Sequence, residues 1–420
     1  MAETRRRRPG RIAPPYATAP TAADATRGHS GSERGTGSGT ATRPAREIES
    51  ILDVEPEPRF TARPRREPPP LVAVTMGDPA GIGPEVVVKA IHGGECLKDC
   101  RPIVVGGREI MHEACRRFAT HMKVRSIPIE DAPAEFDTSV LYLVDAFGAD
   151  LKRVVPGSHS STTGRAAAAA VRLAAKLALN GKVRAVTTAP ISKEAFLDLG
   201  IAFAGHTEFL ASLCEAKRCV PMFISPRLRV TLVTTHVPLS KVARAVTKTR
   251  VVDVIELTQI AMQKFFARRQ PRLAVAALNP HCGESGRVGT EEGERIAPAI
   301  AEARAAGIDV HGPFSGDTVF MRAVNEEFDV VIAMFHDQGL APVRALGRGK
   351  VVNLSLGIPF LRTSVEHGTA PDIAWQGVAS EESMVAALRM AGRMASRLAP
   401  GRIDWTWRAG GDAGAPRRPR

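Results

Sequence analysis

Three histidines stand in one kind of place. Val230-Thr231-Leu232-Val233-Thr234-Thr235 ends at His236, Leu273-Ala274-Val275-Ala276-Ala277-Leu278 leads through Asn279-Pro280 to His281, and the run from Val330 to Phe335 ends at His336. Apolar runs without alternation read as strands buried on both faces, the kind found in parallel α/β sheets. In open α/β sheets ligands bind outside the carboxyl ends of the strands. Neutral imidazole suits zinc and similar divalent ions, and three protein ligands leave a position open for substrate. A lone histidine reads first as a hydrogen-bonded structural residue. Three at matching strand ends favour a metal.

Polar residues gather after the third histidine. Asp337 follows directly, then Arg344, then Asn353 inside another apolar strand, then Arg362, then the loop His367-Gly368-Thr369-Ala370-Pro371-Asp372. Arg344, Arg362 and Lys193 imply an anionic ligand, since guanidinium binds phosphate or carboxylate in a bidentate fashion. Arg362 is the strongest of these because Pro359-Phe360-Leu361 before it read as buried. His206 and Thr207 open a helix, whose N-terminus adds donors for an anion. Near His281, glycines 283, 286 and 289 allow close approach of backbone to ligand. Glu291 and Glu292 read as openers of the next helix, placed at its positive dipole end.

Alternating strand and helix patterns would hold these residues. Order begins near Leu71, with a strand Leu71–Thr75, a turn from Gly77 to Glu85 and a helix from Val86. Two readings of that turn stand: a plain tight turn, and a loop presenting N–H groups to an anion. It is no dinucleotide fingerprint, because Gly81-Ile82-Gly83 lacks the third glycine. Strands follow at Ile103–Val105 and Val140–Val144 with a helix near Glu109–Phe118 between them. An alanine-rich helix runs from Thr163 to Leu179, and a strand from Val183 ends in threonines ahead of Lys193. The alternation continues to the end, giving an α/β fold with a mostly parallel sheet core.

Composition limits the partners. The chain has 420 residues, 44% of them hydrophobic, enough for two or three domains. Its net charge of +13 is uneven: the first 70 residues carry many arginines and no lysine among Pro, Gly, Ser and Thr, and the tail after Trp407 is similar. Such segments bury too little apolar surface to offset ordering entropy, so disordered termini are expected. The N-terminal segment reads as a transit peptide or as a start codon assigned too far upstream, and lacks the apolar core of a secretory signal. Aromatic content of 5%, with no basic-plus-aromatic run, weighs against nucleic acid. No stretch of about 18 apolar residues is present to span a membrane. Six cysteines without zinc-ribbon spacing suggest reduced cytoplasmic thiols, with Cys96 and Cys100 as buried small hydrophobes.

Several stretches together resemble one family, the 4-hydroxythreonine-4-phosphate dehydrogenases of vitamin B6 biosynthesis. They are GDPAGIGPE (77–85), GHTEF (205–209), TTHVPL (234–239), LNPHCGE (278–284), GDTVF (316–320), HDQG (336–339) and VNLSLGIPFLRTSVEHGTA (352–370), colinear from about Leu71 to Arg397. The resemblance implies a two-domain isocitrate/isopropylmalate dehydrogenase-like fold. It divides the chain into 71–200, then 201–365 with the metal and substrate site, then a return over 366–407, between a basic extension 1–70 and a tail 408–420. It also implies a homodimer with its site near the interface. One divalent metal (Zn, Mg or Co) falls to His236, His281 and His336. Substrate contacts fall to His206, Thr207, Arg344, Asn353 and Arg362, and NAD or NADP to His367, Gly368, Thr369, Ala370 and Asp372. The family usually has Lys where this chain has Arg344, which keeps charge but cannot readily donate a proton at neutral pH.

The implied reaction is oxidation of 4-phosphooxy-L-threonine by NAD, then loss of CO2 to give 3-amino-2-oxopropyl phosphate. Asp337, Asp317 and Lys193 are the candidates for proton handling. Relatives acting on D-threonate or D-erythronate 4-phosphate or on cis-dihydrodiol carboxylates give a second reading. A non-catalytic metal- or nucleic-acid-binding protein is a third. Because residues 1–68 lack apolar periodicity, their deletion should leave folding and turnover intact. Loss of soluble, active protein on truncation would contradict this.

Overall fold

The structure, a computed structural model, describes residues 68–147, 154–201 and 205–408. The expected extension up to residue 67 and the expected tail from 409 lie outside the described residues. The strands are β1 (Leu71–Thr75), β2 (Arg101–Gly106), β3 (Lys123–Ser126), β4 (Val140–Asp145), β5 (Ala185–Thr188), β6 (Val220–Ile224), β7 (Arg229–Leu232), β8 (Leu273–Ala276), β9 (Val310–Phe314), β10 (Val330–Ala333), β11 (Val352–Leu356) and β12 (Leu361–Val365). Helices that bear on the site are α1 (Gly83–His92), α2 (Ser161–Leu179), α3 (Lys193–Leu197), α4 (His206–Leu213), α5 (Lys248–Phe266), α6 (His336–Gly347) and α7 (Glu382–Ala395). The expected α/β fold with a mostly parallel sheet core is observed. Cys96 and Cys100 are fully buried, as expected of small hydrophobes. No helix among the described residues is long and apolar enough to cross a membrane.

The twelve strands of the described residues form one sheet, ordered β3-β4-β2-β1-β5-β12-β11-β6-β7-β10-β8-β9. β3 to β12 in that order are mutually parallel, and so are β7, β10, β8 and β9. Between them β11 pairs antiparallel with both β12 and β6, and β6 antiparallel with β7. The two parallel blocks therefore run in opposite directions. The seam comes from two short connections, Ser225–Leu228 and Gly357–Phe360, since antiparallel strands close through short turns whereas parallel ones need a long crossover. In the first, Ser225 N–H donates to Leu228 O at 2.9 Å and Leu228 N–H to the Ser225 hydroxyl at 3.1 Å.

Side-chain alternation carries the seam to one face of the sheet. On that face Val186 packs with Phe209 and Phe360 over the first block, and Phe223, Leu232 and Ala333 pack over the second. Register places Arg362 beside Val186, Ser364 beside Thr188 and Asn353 beside both Ser364 and Phe223. Thr188, Arg362, Ser364, Ser355 and Asn353 thus form a polar strip between two apolar clusters. The opposite face is one continuous apolar core that includes Leu354, Leu361 and Val365.

The β11–β12 turn that sets this strip is pinned from outside. Ile403 N–H donates to Pro359 O at 2.9 Å and the Trp405 indole to Ile358 O at 2.6 Å, while the Trp405 ring meets Phe265 of α5 edge-on. Gly357 has φ +91, and a Cβ there would lie 2.0 Å from Arg218 O. Gly357→Ala should therefore cost more than about 1 kcal/mol, because the new residue cannot adopt the native backbone without strain. A urea midpoint equal to that of the parent would refute this account of the turn.

Candidate active site

Arg362 dominates the polar strip. It is 1% exposed, its Nη1 donates to the Ser355 hydroxyl at 3.0 Å and its Nη2 to the Thr188 hydroxyl at 2.5 Å. Its Nε has no partner among the described residues. Burial pushes the guanidinium pKa down to about 10, so it stays charged at neutral pH. Two hydroxyls do not balance a buried cation, which is stable only when paired and fully hydrogen-bonded.

Helix α4 lies against the strip and brings His206 and Thr207. Burial first, then the Arg362 charge, hold the His206 imidazole well below its ordinary pKa, so it is neutral. Its Nε2 is buried without a partner among the described residues, as is Asn353 Oδ1. The Thr207 hydroxyl is 3.4 Å from that of Ser355. Unpaired cationic, donor and acceptor atoms on one buried strip are what an anionic, polar ligand would satisfy.

A pocket opens beside the strip, lined by His206, Thr207, Glu208, Phe223, His236 and His336 with neighbouring residues. His236, past the end of β7, and His336, the first residue of α6, place their ring centroids 5.8 Å apart. Burial first, then Lys193, lower the pKa of His236, keeping the imidazole in the neutral form that a metal ligand requires. His336 Nδ1 lies 2.7 Å from Asp337 Oδ1 and His236 Nδ1 3.9 Å from Glu208 Oε1. A carboxylate hydrogen-bonded to an imidazole, as Asp337 is to His336, orients a metal-binding ring, while Glu208 stands beyond hydrogen-bond reach of His236. The donor chemistry of the pair fits a divalent ion.

His281 is not brought to that pair. It is exposed, with Nδ1 2.8 Å from Glu284 Oε1, and the bond to Glu284 raises its pKa. Residues 281–285 all have positive φ. No group of three or more His, Cys, Asp or Glu side chains suited to a metal is present among the described residues. Asp317 is exposed and acts electrostatically on His281. Lys193, also exposed, opens α3 near enough to His236 to lower its pKa. Arg344 does not join the strip: its Nε donates to Glu366 Oε2 at 2.7 Å.

The loop His367–Asp372 leaves β12 and packs on the Gly77–Glu85 turn. Ile82 N–H donates to Thr369 O at 3.0 Å, and the Thr369 hydroxyl is 3.2 Å from His159 Nε2. A Cβ on Gly81 would lie 2.8 Å from Thr369 Cβ. These contacts favour the plain tight turn of the two readings. The N–H groups of Asp78, Ala80, Gly81 and Ile82 are all spent on protein acceptors, so the glycines serve close packing. Gly368 and Asp372 are exposed and His367 half-buried, while Ala370, at φ +42, packs against the main apolar core and Asp372 O accepts from Gln376.

Sequence reasoning missed Thr188, Ser355 and Glu208. Thr188 and Ser355 are hydroxyls on otherwise apolar strands, and Glu208 is an acid in the first turn of α4; none of the three shows its partner in the sequence. The reading of Glu292 is corrected in part. It opens a helical segment, but its carboxylate is buried and accepts the N–H groups of Leu278 at 2.8 Å and Asn279 at 2.7 Å. Glu291 Oε2 accepts from Asn279 Nδ2 at 2.8 Å.

The profile of the family described as pyridoxal phosphate biosynthetic protein PdxA matches residues 98–391. A 4-hydroxythreonine-4-phosphate dehydrogenase of Desulforapulum autotrophicum is 40% identical over 337 residues, 80% of this chain and 98% of its own length. A D-threonate 4-phosphate dehydrogenase of Pectobacterium atrosepticum is 39% identical over 329 residues, 77% and 99% of the two chains. The crystal structure of 4-hydroxythreonine-4-phosphate dehydrogenase from Klebsiella pneumoniae superposes with a TM-score of 0.70 at 38% identity, covering 78% of this chain and 99% of the other. The chain with the buried Arg362 strip and the His236–His336 pair belongs to the PdxA family.

Proposed function

We propose that this protein oxidises and decarboxylates 4-phosphooxy-L-threonine with NAD or NADP, in the synthesis of pyridoxal phosphate. The observation that carries the reading is Arg362, a buried guanidinium facing unpaired polar atoms beside a metal-competent histidine pair. Arg362, with Ser355 and Thr188 holding its other donors, takes the phosphate, and His206 and Thr207 add contacts to it. Arg344 stays with Glu366. We further propose two lobes, 71–200 with 366–407 and 201–365, meeting where β5 pairs with β12, and a cofactor site on the His367–Asp372 loop.

A divalent ion at His236 and His336 would supply Lewis acidity for alcohol deprotonation and for the enolate left by CO2. Bound NAD or NADP would supply the hydride acceptor, and Lys193, whose charge acts on His236, would take the alcohol proton as the neutral amine. The C–C bond to the carboxylate would then break with release of CO2, its electron pair moving toward the new carbonyl, and Lys193 would return to carbon the proton it took. The exposure of His281, on a loop held away from the pair, favours its serving a site shared with a second copy in a homodimer. A second reading, D-threonate 4-phosphate as substrate, is kept because that relative is nearly as similar, at 39% identity against 40%. A panel of both substrates with NAD and added divalent ion separates them by catalytic efficiency, and absence of NADH formation from either overturns both.

Arg362→Ala should lower kcat/KM for the phosphorylated substrate by about 30-fold or more, from the roughly 2–5 kcal/mol that a desolvated charge contact carries. NAD affinity should hold. Inorganic phosphate should raise the melting temperature of the parent protein and not that of Arg362→Met; equal shifts would remove the anion from this strip.

Replacing His236, His281 or His336 by Ala should each lower bound metal sharply while circular dichroism stays unchanged. Each loss leaves two of the three ligands. Stoichiometric metal and near-normal turnover in His281→Ala would reduce the site to the observed pair.

A further inference from the structure

The ladder between β10 and β8 runs from Val330 opposite Leu273 to Ile332 opposite Val275. Past that point one side chain spans the two strand ends. Gln338 Nε2 donates to Ala277 O at 2.8 Å, and Gln338 Oε1 accepts Met334 N–H at 2.7 Å. A primary amide offers a donor and an acceptor as a peptide unit does. Gln338 therefore acts as an extra rung where the backbones no longer pair. The connection continues on both sides: Met334 O accepts from Thr234 N–H and hydroxyl, and Ala277 N–H donates to Phe314 O at 2.7 Å. The ends of β7, β10, β8 and β9 are tied in series through this amide.

Glu292 grips the same segment from beyond Ala277. Its Oε1 takes the N–H groups of Leu278 and Asn279, and its Oε2 accepts from Asn279 Nδ2 at 2.9 Å. His281 follows at once, in the run of positive φ. A Cβ on Gly283 would lie 2.8 Å from Glu292 Oε2, and one on Gly316 2.9 Å from Gln338 Nε2. Both side chains fill spaces kept open by glycine.

We propose that Gln338 and Glu292 are positioning residues. Gln338 sets the spacing between the strand end bearing His336 and the one leading to His281, and Glu292 fixes the loop of the latter. Both imidazoles are thereby presented in constant places. The role extends the metal reading above and rests on it. The alternative is local: Gln338 is the third residue of α6, where Gln or Glu commonly caps a helix start by reaching back to a main-chain N–H. Glutamate separates the two. It keeps the acceptor for Met334 N–H but sets a carboxylate oxygen against the Ala277 carbonyl.

The test uses the full chain with Gln338→Glu, Gln338→Met and Glu292→Gln, and His281→Ala as reference. It reads Co(II) affinity by visible absorbance, hydrogen exchange over residues 277–289, and kcat and KM separately. Gln338→Glu should lose about 10–100-fold in Co(II) affinity, as supporting residues of metal ligands do. It should also expose the Leu278 and Asn279 amides to faster exchange and lower kcat with KM for NAD unmoved. Parent-like affinity and exchange in Gln338→Glu would show a helix cap only and overturn the proposal. If His281→Ala binds Co(II) like the parent, the three-histidine reading fails by itself, and unchanged exchange in Gln338→Glu and Glu292→Gln still overturns the clamp. Should Gln338→Met fail to fold, the Glu variant of near-equal shape decides.

Discussion

A guanidinium inside a protein must be answered by something, and at Arg362 the protein supplies only part of the answer. Two hydroxyls hold its terminal nitrogens, from Ser355 and Thr188. Its Nε, the His206 Nε2 and the Asn353 Oδ1 have no partner among the described residues. An uncompensated buried charge is among the costliest features a fold can carry. The apolar clusters on either side are what hold such a strip in place. An anion that met these atoms would be held through interactions already oriented, with little reorganisation.

The seam of the sheet explains why the strip lies where it does. In a uniformly parallel sheet the middle strands would be covered on both faces by helices and would read as apolar throughout. Reversal of β11 and β6 between two oppositely directed blocks leaves one face of β12 and β11 bounded by Phe360 on one side and Phe223 on the other. The short helix α4 meets the strip there, the Thr207 hydroxyl lying 3.4 Å from that of Ser355, and its first residues are His206 and Thr207. The pocket lined by His236 and His336 opens at the same place.

Glycine and buried carboxylate recur as the means of holding loops near this site. Thr369 closes on Gly81, Glu292 on Gly283, and the Gln338 amide on Gly316. Each contact fixes a loop through its main chain rather than through an apolar side chain. Loops that carry ligands can bury little apolar surface, so their order must come from satisfied backbone groups. The Asp78 carboxylate works alike, accepting Ala80 N–H at 2.9 Å while lying 3.2 Å from His159 Nδ1.

Much of this was legible in the residues taken alone. Continuous apolar runs at 230–233, 273–276 and 330–334 specify buried strands, and polarity resumes where the chain must leave the sheet, so His236, His281 and His336 were readable as strand-end residues. Arg362 among Phe360, Leu361 and Val365 was readable as a buried cation. The local pattern could not say which strands would lie side by side. Thr188 and Ser355 look like ordinary strand residues until register places them around Arg362 from positions far apart in the chain. Glu292 looks like a helix opener until Leu278 and Asn279 reach its carboxylate. Arg344 and Arg362 look alike as cations, and only packing gives one to Glu366 and leaves the other to the strip. Side-chain type and spacing determine what a residue can do; partners across the sheet, chosen by the burial of many apolar side chains at once, decide what it does.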